Sequence, residues 1–348
     1  MTPHTLDFRS DTVTKPTDEM RRAMAEAVVG DDVLGDDPTV QALEREFAGA
    51  LGKDAALYCP SGSMCNLIAL CVWCRPGDEI VMEERTHTFR YEGGGAARFA
   101  NTQVQTFPRA TGVPEVVDLT SRIRSKDIHE PRTSLFVLEN THNMAGGRVV
   151  PLERVRELAD AAHEHGLRMH VDGARLFNAA AALGESVAAL AAPADSVMCC
   201  LSKGLGAPIG SCLAGTTEFV TEARRVRKAL GGGMRQVGIL AAAGLLALRD
   251  GPKRLPIDHA RARRFAEALE GTPGLRVDPA DVDTNMVMVG LEESVDTKAF
   301  VARLAARGLM TFATGPHVLR FVFHRDQTED DVDAAIDVLR TTAQGSDV

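Results

Sequence analysis

The chain has 348 residues, enough for one large domain and one smaller one and for a core that needs no disulfides. Its composition, 45% hydrophobic and 25% charged, is that of a soluble globular protein, and a formal net charge of −9 excludes the basic excess that a nucleic-acid partner requires. Seven cysteines are scattered through apolar runs, as reduced core thiols are, and the Cys71/Cys74 pair has no second CxxC to complete a zinc set.

The N-terminal stretch has neither the basic start nor the apolar core of a signal peptide. The longest apolar run, 239–248, falls far short of the roughly 20 residues of a bilayer span, so a cytoplasmic protein with no membrane partner is expected.

In chain order, Pro38 opens a helix whose apolar residues Val40, Leu43, Phe47 and Leu51 recur at helical spacing, and Gly52 ends it. A short strand over 55–58 runs into Ser61-Gly62-Ser63 and an apolar helix that stops at Arg75-Pro76-Gly77-Asp78. Residues 135–138 read as a buried strand, and Pro151 starts a helix that Gly166 closes. Strands over 167–171 and 197–201 follow. Strands separated by helices predict an α/β domain with a mostly parallel sheet covered on both faces. Beyond about Gly251 the texture changes to Arg-rich helices and short strands over 286–289 and 319–323. The expected division is therefore a large domain over 1–250 and a smaller α+β domain over 251–348.

Ligands gather at the carboxyl ends of strands in such sheets, and chemistry-bearing residues sit there. Lys203, flanked by Ser202 and Gly204, follows a strand; desolvation on such a small-residue turn makes an amine available as a nucleophile toward a bound aldehyde. Its plain alternative is a surface lysine. Asp172 ends another strand, where a carboxylate can pair with a protonated pyridine nitrogen, or can simply partner Arg175. Ser61-Gly62-Ser63 presents backbone N–H groups at a helix start, which suits a phosphate as well as an ordinary N-cap. His87 follows the strand at 79–82 and can stack on an aromatic ring and shuttle a proton. His170 and Asp172 share a strand face, but no third ligand completes a metal site, and none is expected. Gly231-Gly232-Gly233 presents Arg235 after a basic helix ending near Lys228, either a source of charge for a phosphate across a subunit interface or a helix C-cap with solvated arginines. Arg320, on a strand of the small domain, can grip a carboxylate or be a solvated edge-strand residue.

RSDTVTKPT (9–17), GDDVLGDDPTV (30–40), SGSMCN (61–66), YEGGGA (91–96), LENTHN (138–143), HVDGARLFNAA (170–180), LSKGLGAPIGS (201–211) and GGGMRQVGILAAAG (231–244) together resemble the threonine aldolase family. That family comprises fold-type-I enzymes dependent on pyridoxal 5′-phosphate (PLP). The resemblance implies an aspartate-aminotransferase-like large domain in which Lys203 carries PLP as a Schiff base. It also implies that Asp172 holds the pyridine nitrogen and His87 stacks on the ring. Gly62 and Ser63 would hold the phosphate, together with Lys228 and Arg235 from a neighbouring subunit. Arg175 would contact the phenolic oxygen or the substrate, and Ser10 and Arg320 the substrate carboxylate. His129 matches a second active-site histidine.

The implied activity is retro-aldol cleavage of threonine, allo-threonine and related β-hydroxy-α-amino acids to glycine and an aldehyde, in a homotetramer built as a dimer of dimers. His87 and His129 are both candidates for the base. Leu34 departs from the family's usual tyrosine and removes one polar contact expected near the substrate; Ser63 replaces a common threonine and keeps its hydroxyl. β-Elimination or racemisation on the same scaffold is the alternative chemistry. A dinucleotide oxidoreductase would need a GxGxxG after an early strand, which is absent.

Overall fold

A computed structural model describes residues 5–345. After a two-residue strand β1 (Leu6–Asp7), the chain builds β2 (Ala55–Cys59), β3 (Glu79–Glu83), β4 (Gln103–Phe107), β5 (Thr133–Glu139), β6 (Arg168–Asp172), β7 (Ser196–Cys200) and β8 (Ser211–Gly215). These last seven form one sheet in the order β2-β8-β7-β6-β5-β3-β4, with β8 alone antiparallel to its neighbours. Every residue of β3, β5, β7 and β8 is buried, as a sheet covered by helices on both faces requires. The helices form where the periodicity predicts them. Asp37 caps Pro38–Leu51 by accepting from the N–H groups of Thr39 and Val40, and Gly52 ends it in the left-handed region at φ 62°.

The smaller unit has β9 (Leu275–Arg276), β10 (Met286–Leu291), β11 (Leu309–Met310), β12 (Phe312–Gly315) and β13 (Val318–Val322). Four of these make an antiparallel sheet in the order β12-β13-β10-β9, while β11 pairs in parallel with β1. Each unit has its own apolar core.

Two features differ from a division at residue 250. The N-terminal segment packs on the small unit: the buried ring of Phe8 lies 6.2 Å from that of Phe265, 6.2 Å from Phe321 and 5.2 Å from Phe323. Residue 250 also falls inside a single helix, Gly238–Leu269, which runs on through Pro252 and Pro256. Its first half packs in the large core through Ala243, Ala247 and Leu255, its second in the small core through Phe265 and Leu269. Burial of both halves outweighs the backbone hydrogen bonds that the prolines remove. Phe8→Ala, which empties the place where the N-terminal segment locks into the small unit, is expected to cost about 3–5 kcal/mol of unfolding free energy in denaturant titration.

Candidate active site

Asp172 is the last residue of β6, and Lys203 lies three positions after β7. The helix Gly62–Trp73 follows β2, and the short helix His87–Arg90 follows β3. The strand order brings these ends together around a cavity of about 200 Å³ lined by Gly62, Ser63, His87, Asp172 and Lys203, along with Asn66 and Glu92. Five of the sequence-predicted residues thus share one pocket.

The N-terminus of the Gly62–Trp73 helix opens onto this cavity. Ser61 caps it by accepting from the N–H of Met64 at 3.2 Å, and the first-turn N–H groups have no partner within the helix. A Cβ on Gly62 would lie 2.8 Å from Cys200 Sγ and 2.8 Å from Met198 Cε, so a side chain there would fill the cradle. The arrangement suits a small anion at the positive end of the helix dipole.

Asp172 is buried and well supplied with donors. Its Oδ2 accepts from Asn66 Nδ2 at 2.8 Å and Thr88 Oγ1 at 3.3 Å, and its Oδ1 from the Ala174 N–H at 3.2 Å. His87 is held at two points: its N–H donates to Glu139 Oε2 at 2.5 Å and its Nδ1 faces Glu92 Oε1 at 2.9 Å. The bond to Glu92 raises the imidazole above its ordinary range against the opposing effect of burial. Burial holds Glu92 itself up, offset in part by the His87 bond. His87, Glu92 and Asp172 bring one ligand atom each within 4.8 Å of one another. The same oxygens are engaged by Asn66, Thr88 and His87 itself, so the cluster is a hydrogen-bonded network around the pocket floor.

A second polar group joins the two units beside this pocket. Arg175 is buried and donates to both oxygens of buried Asp11, from Nε at 2.7 Å and Nη2 at 2.6 Å. Burial alone would raise Asp11; the charge and hydrogen bonds of Arg175 outweigh it and bring the carboxyl down to about 2. Arg320 of β13 donates to Asn143 Oδ1 at 2.8 Å, and its buried Nε has no partner. Burial, then the like charge of Arg175, lowers it to about 10. Arg175 is ion-paired with Asp11 while Arg320 is held by neutral Asn143 and a backbone carbonyl, so Arg320 offers a place for an anion. Glu139, the last residue of β5, ties the corner to the pocket by accepting from the N–H groups of both His87 and Asn143. Ser10 lies between Arg9, whose carbonyl accepts from Arg320, and Asp11; its hydroxyl accepts from Thr12.

Four positions lie away from the pocket of their own chain. The His129 side chain is 84% exposed and pairs only locally, with Asp127 at 2.6 Å. Arg235 is exposed and bound to Asp31 at 2.7 Å, and Lys228 is exposed at the end of its helix. Leu34, 75% exposed, sits in the turn that Asp31 and Asp32 anchor to Arg235 and Arg227. Arg227, by contrast, is fully buried and donates to Asp32 and the Tyr58 carbonyl, so one member of the basic helix belongs to the core. Sequence reasoning missed Asp11, Asn66, Glu92, Glu139 and Asn143 as site residues, although all five lie inside the motifs quoted above.

The family described as "Beta-eliminating lyase" matches residues 7–292. The chain belongs to this family. It is 43% identical over 338 residues to low-specificity L-threonine aldolase 1 of Arabidopsis thaliana, covering 95% of this chain and 94% of that one. It is 42% identical over 329 residues to the low specificity L-threonine aldolase of Escherichia coli, covering 93% and 95%. The structure superposes on the threonine aldolase of Leishmania major with a TM-score of 0.84 at 20% identity, over 97% of this chain and 99% of that one. The fold is therefore the one that the resemblance implies.

Asp11→Asn leaves Arg175 buried without its countercharge and is expected to cost about 3–5 kcal/mol of stability. Asp11 is depressed in the folded state, so the pair's contribution is complete above the ordinary carboxylate value of 3.8 and fades as pH falls through about 2. Acid unfolding followed by circular dichroism should show that loss in the wild type and not in the variant. Glu92→Gln removes the main support for the raised imidazole, so the His87 titration followed by NMR should move to lower pH.

Proposed function

We propose that this protein is a PLP-dependent aldehyde-lyase that cleaves L-threonine, L-allo-threonine and related β-hydroxy-α-amino acids to glycine and an aldehyde, acetaldehyde from threonine itself. The observation that carries this reading is one pocket holding Lys203, Asp172, His87 and the Gly62–Ser63 helix start, joined through Glu139 and Asn143 to an arginine with an unpartnered Nε. The two aldolase relatives at 42% and 43% identity support it.

The residues fit PLP. The cradle that a Cβ on Gly62 would fill suits its phosphate, the strand-end carboxylate of Asp172 its pyridine nitrogen, and the amine of Lys203 its aldehyde. Bound there, PLP supplies the electron sink for breaking the Cα–Cβ bond. His87 would stack against the ring. Ser10 and Arg320 hold the substrate carboxylate, and Arg175, whose Nη1 makes only a long 3.4 Å bond to Asn143 Oδ1, is turned toward the cofactor's phenolic oxygen or the substrate. The proton on the β-hydroxyl goes to His87 or His129, directly or through water.

His129, Lys228 and Arg235 serve the site of a neighbouring subunit in a cytoplasmic homotetramer, a reading supported by their exposure and their distance from the pocket of their own chain. Leu34 shares the Asp31–Asp36 turn with the partner of Arg235, so its effect on substrate choice acts across that same interface.

The family description favours β-elimination as the second reading, with pyruvate or a related keto acid as product.

Three outcomes follow. Purified protein with PLP should release acetaldehyde and glycine from L-allo-threonine, and Lys203→Ala should lose both the visible cofactor band and the reaction; pyruvate in place of aldehyde selects the elimination reading. Arg320→Ala should lower kcat/KM at least about 100-fold, mostly through KM. Mixed Lys203→Ala and Arg235→Ala subunits should regain activity that neither parent has, because each hybrid interface restores one complete site.

A further inference from the structure

The pocket floor contains a line of polar side chains that the reaction itself does not use. Trp73 Nε1 donates to Ser196 Oγ at 2.8 Å, and Ser196 Oγ faces His170 Nδ1 at 2.9 Å. His170 Nε2 faces Asn66 Oδ1 at 3.1 Å, and Asn66 Nδ2 donates to both Glu92 Oε1 at 2.9 Å and Asp172 Oδ2 at 2.8 Å. Ser196, His170 and Asn66 are all buried.

The direction of each bond follows from chemistry alone. An ionised carboxylate only accepts, and Asn66 Nδ2 reaches one oxygen each of Asp172 and Glu92, so its NH₂ end faces them. Its carbonyl oxygen then needs a donor, which places the His170 proton on Nε2. Nδ1 of that neutral ring is an acceptor and takes the Ser196 hydroxyl proton, and the Ser196 oxygen in turn accepts from the indole. Burial pushes His170 down to about 4, against the charge of Asp172, so the ring stays neutral across the working range.

We infer that Asn66, locked in one orientation by neutral His170, is the positioning residue that holds Asp172 and, through Glu92, His87 in register for the cofactor. The inference rests on the PLP reading and extends it from Asn66, which lines the pocket, to His170 and Ser196 behind it. With His170 removed, the Asn66 carbonyl oxygen loses its donor and the side chain its anchor, so the amide can swing away from Asp172 and Glu92 and leave both less firmly placed.

The test is the dissociation constant of PLP for apoprotein, read from the visible cofactor band, in wild type, Asn66→Ala, His170→Phe, their double variant and the isosteric Asn66→Asp. Loss of a hydrogen bond to a charged group should weaken PLP binding on the order of 10- to 100-fold in Asn66→Ala. The double variant should bind as Asn66→Ala does, because the two residues act as one unit.

Asn66→Asp adds a third carboxyl group among Asp172, Glu92, His87 and His170. Its defect relative to wild type should be large at about pH 8 and shrink toward about pH 5.5, where the new group carries a proton and donates again. A defect that arises only from general loosening does not depend on pH in this way, and melting of the apoproteins separates the two. Where His170→Phe fails to fold, Asn66→Asp decides alone. Equal PLP affinity in wild type and the Asn66 variants, multiplicative losses in the double variant, or a pH-independent defect in Asn66→Asp overturns the inference. A wild type that takes up no PLP overturns the cofactor reading itself.

Discussion

Asp11 and Arg175 are both withdrawn from water, and the rest of the site takes its bearings from them. Asp11 belongs to the N-terminal segment, which is anchored in the small unit by Phe8; Arg175 follows β6 in the large unit. Asn285 of the small unit adds a third, longer contact to Asp11 at 3.4 Å. Burying two ions costs more than a surface pair does, and the two-pronged geometry offsets that cost only while both partners stay in place. Three parts of the chain that are far apart in sequence are therefore fixed relative to one another at the point where a substrate carboxylate must be met. Arg320 inherits its position from this junction, and its unpartnered Nε is what distinguishes it from the satisfied arginine beside it.

The pocket itself is built from the ends of strands. Asp172, Glu139 and the turns leading to His87 and Lys203 all emerge on one edge of the sheet, so their spacing is set by backbone ladders and not by flexible loops. The reversed strand β8 closes the β7 side and brings β2 alongside, which is how the Gly62 helix start arrives next to Lys203. Polar groups on the pocket floor then convert that coarse placement into definite orientations.

Much of this was legible in the residues. Strand-end positions for Asp172 and Lys203, the helix start at Gly62 and the covered parallel sheet all follow from local patterns of apolar runs, glycines and caps. What escaped was whatever depends on distant pairing. Asn66 meets Asp172 across 106 positions, and Asp11 meets Arg175 across 164, and no local pattern announces either contact. One helix continues through the change of texture near Gly251 because both of its halves find a core to bury against. His170 was visible as half of an incomplete ligand pair; its two ring nitrogens are taken by Ser196 and Asn66, a role that only the fold could assign.

One consequence is optical. The chain has a single tryptophan, Trp73, whose ring stacks on Phe219 at 4.7 Å and whose indole N–H ends the buried polar line that begins at Asp172. All indole fluorescence of this protein therefore comes from one rigid fluorophore wired to the pocket floor. A change at Asp172 that disturbs this line should therefore reach the indole and be visible in its emission without any engineered dye.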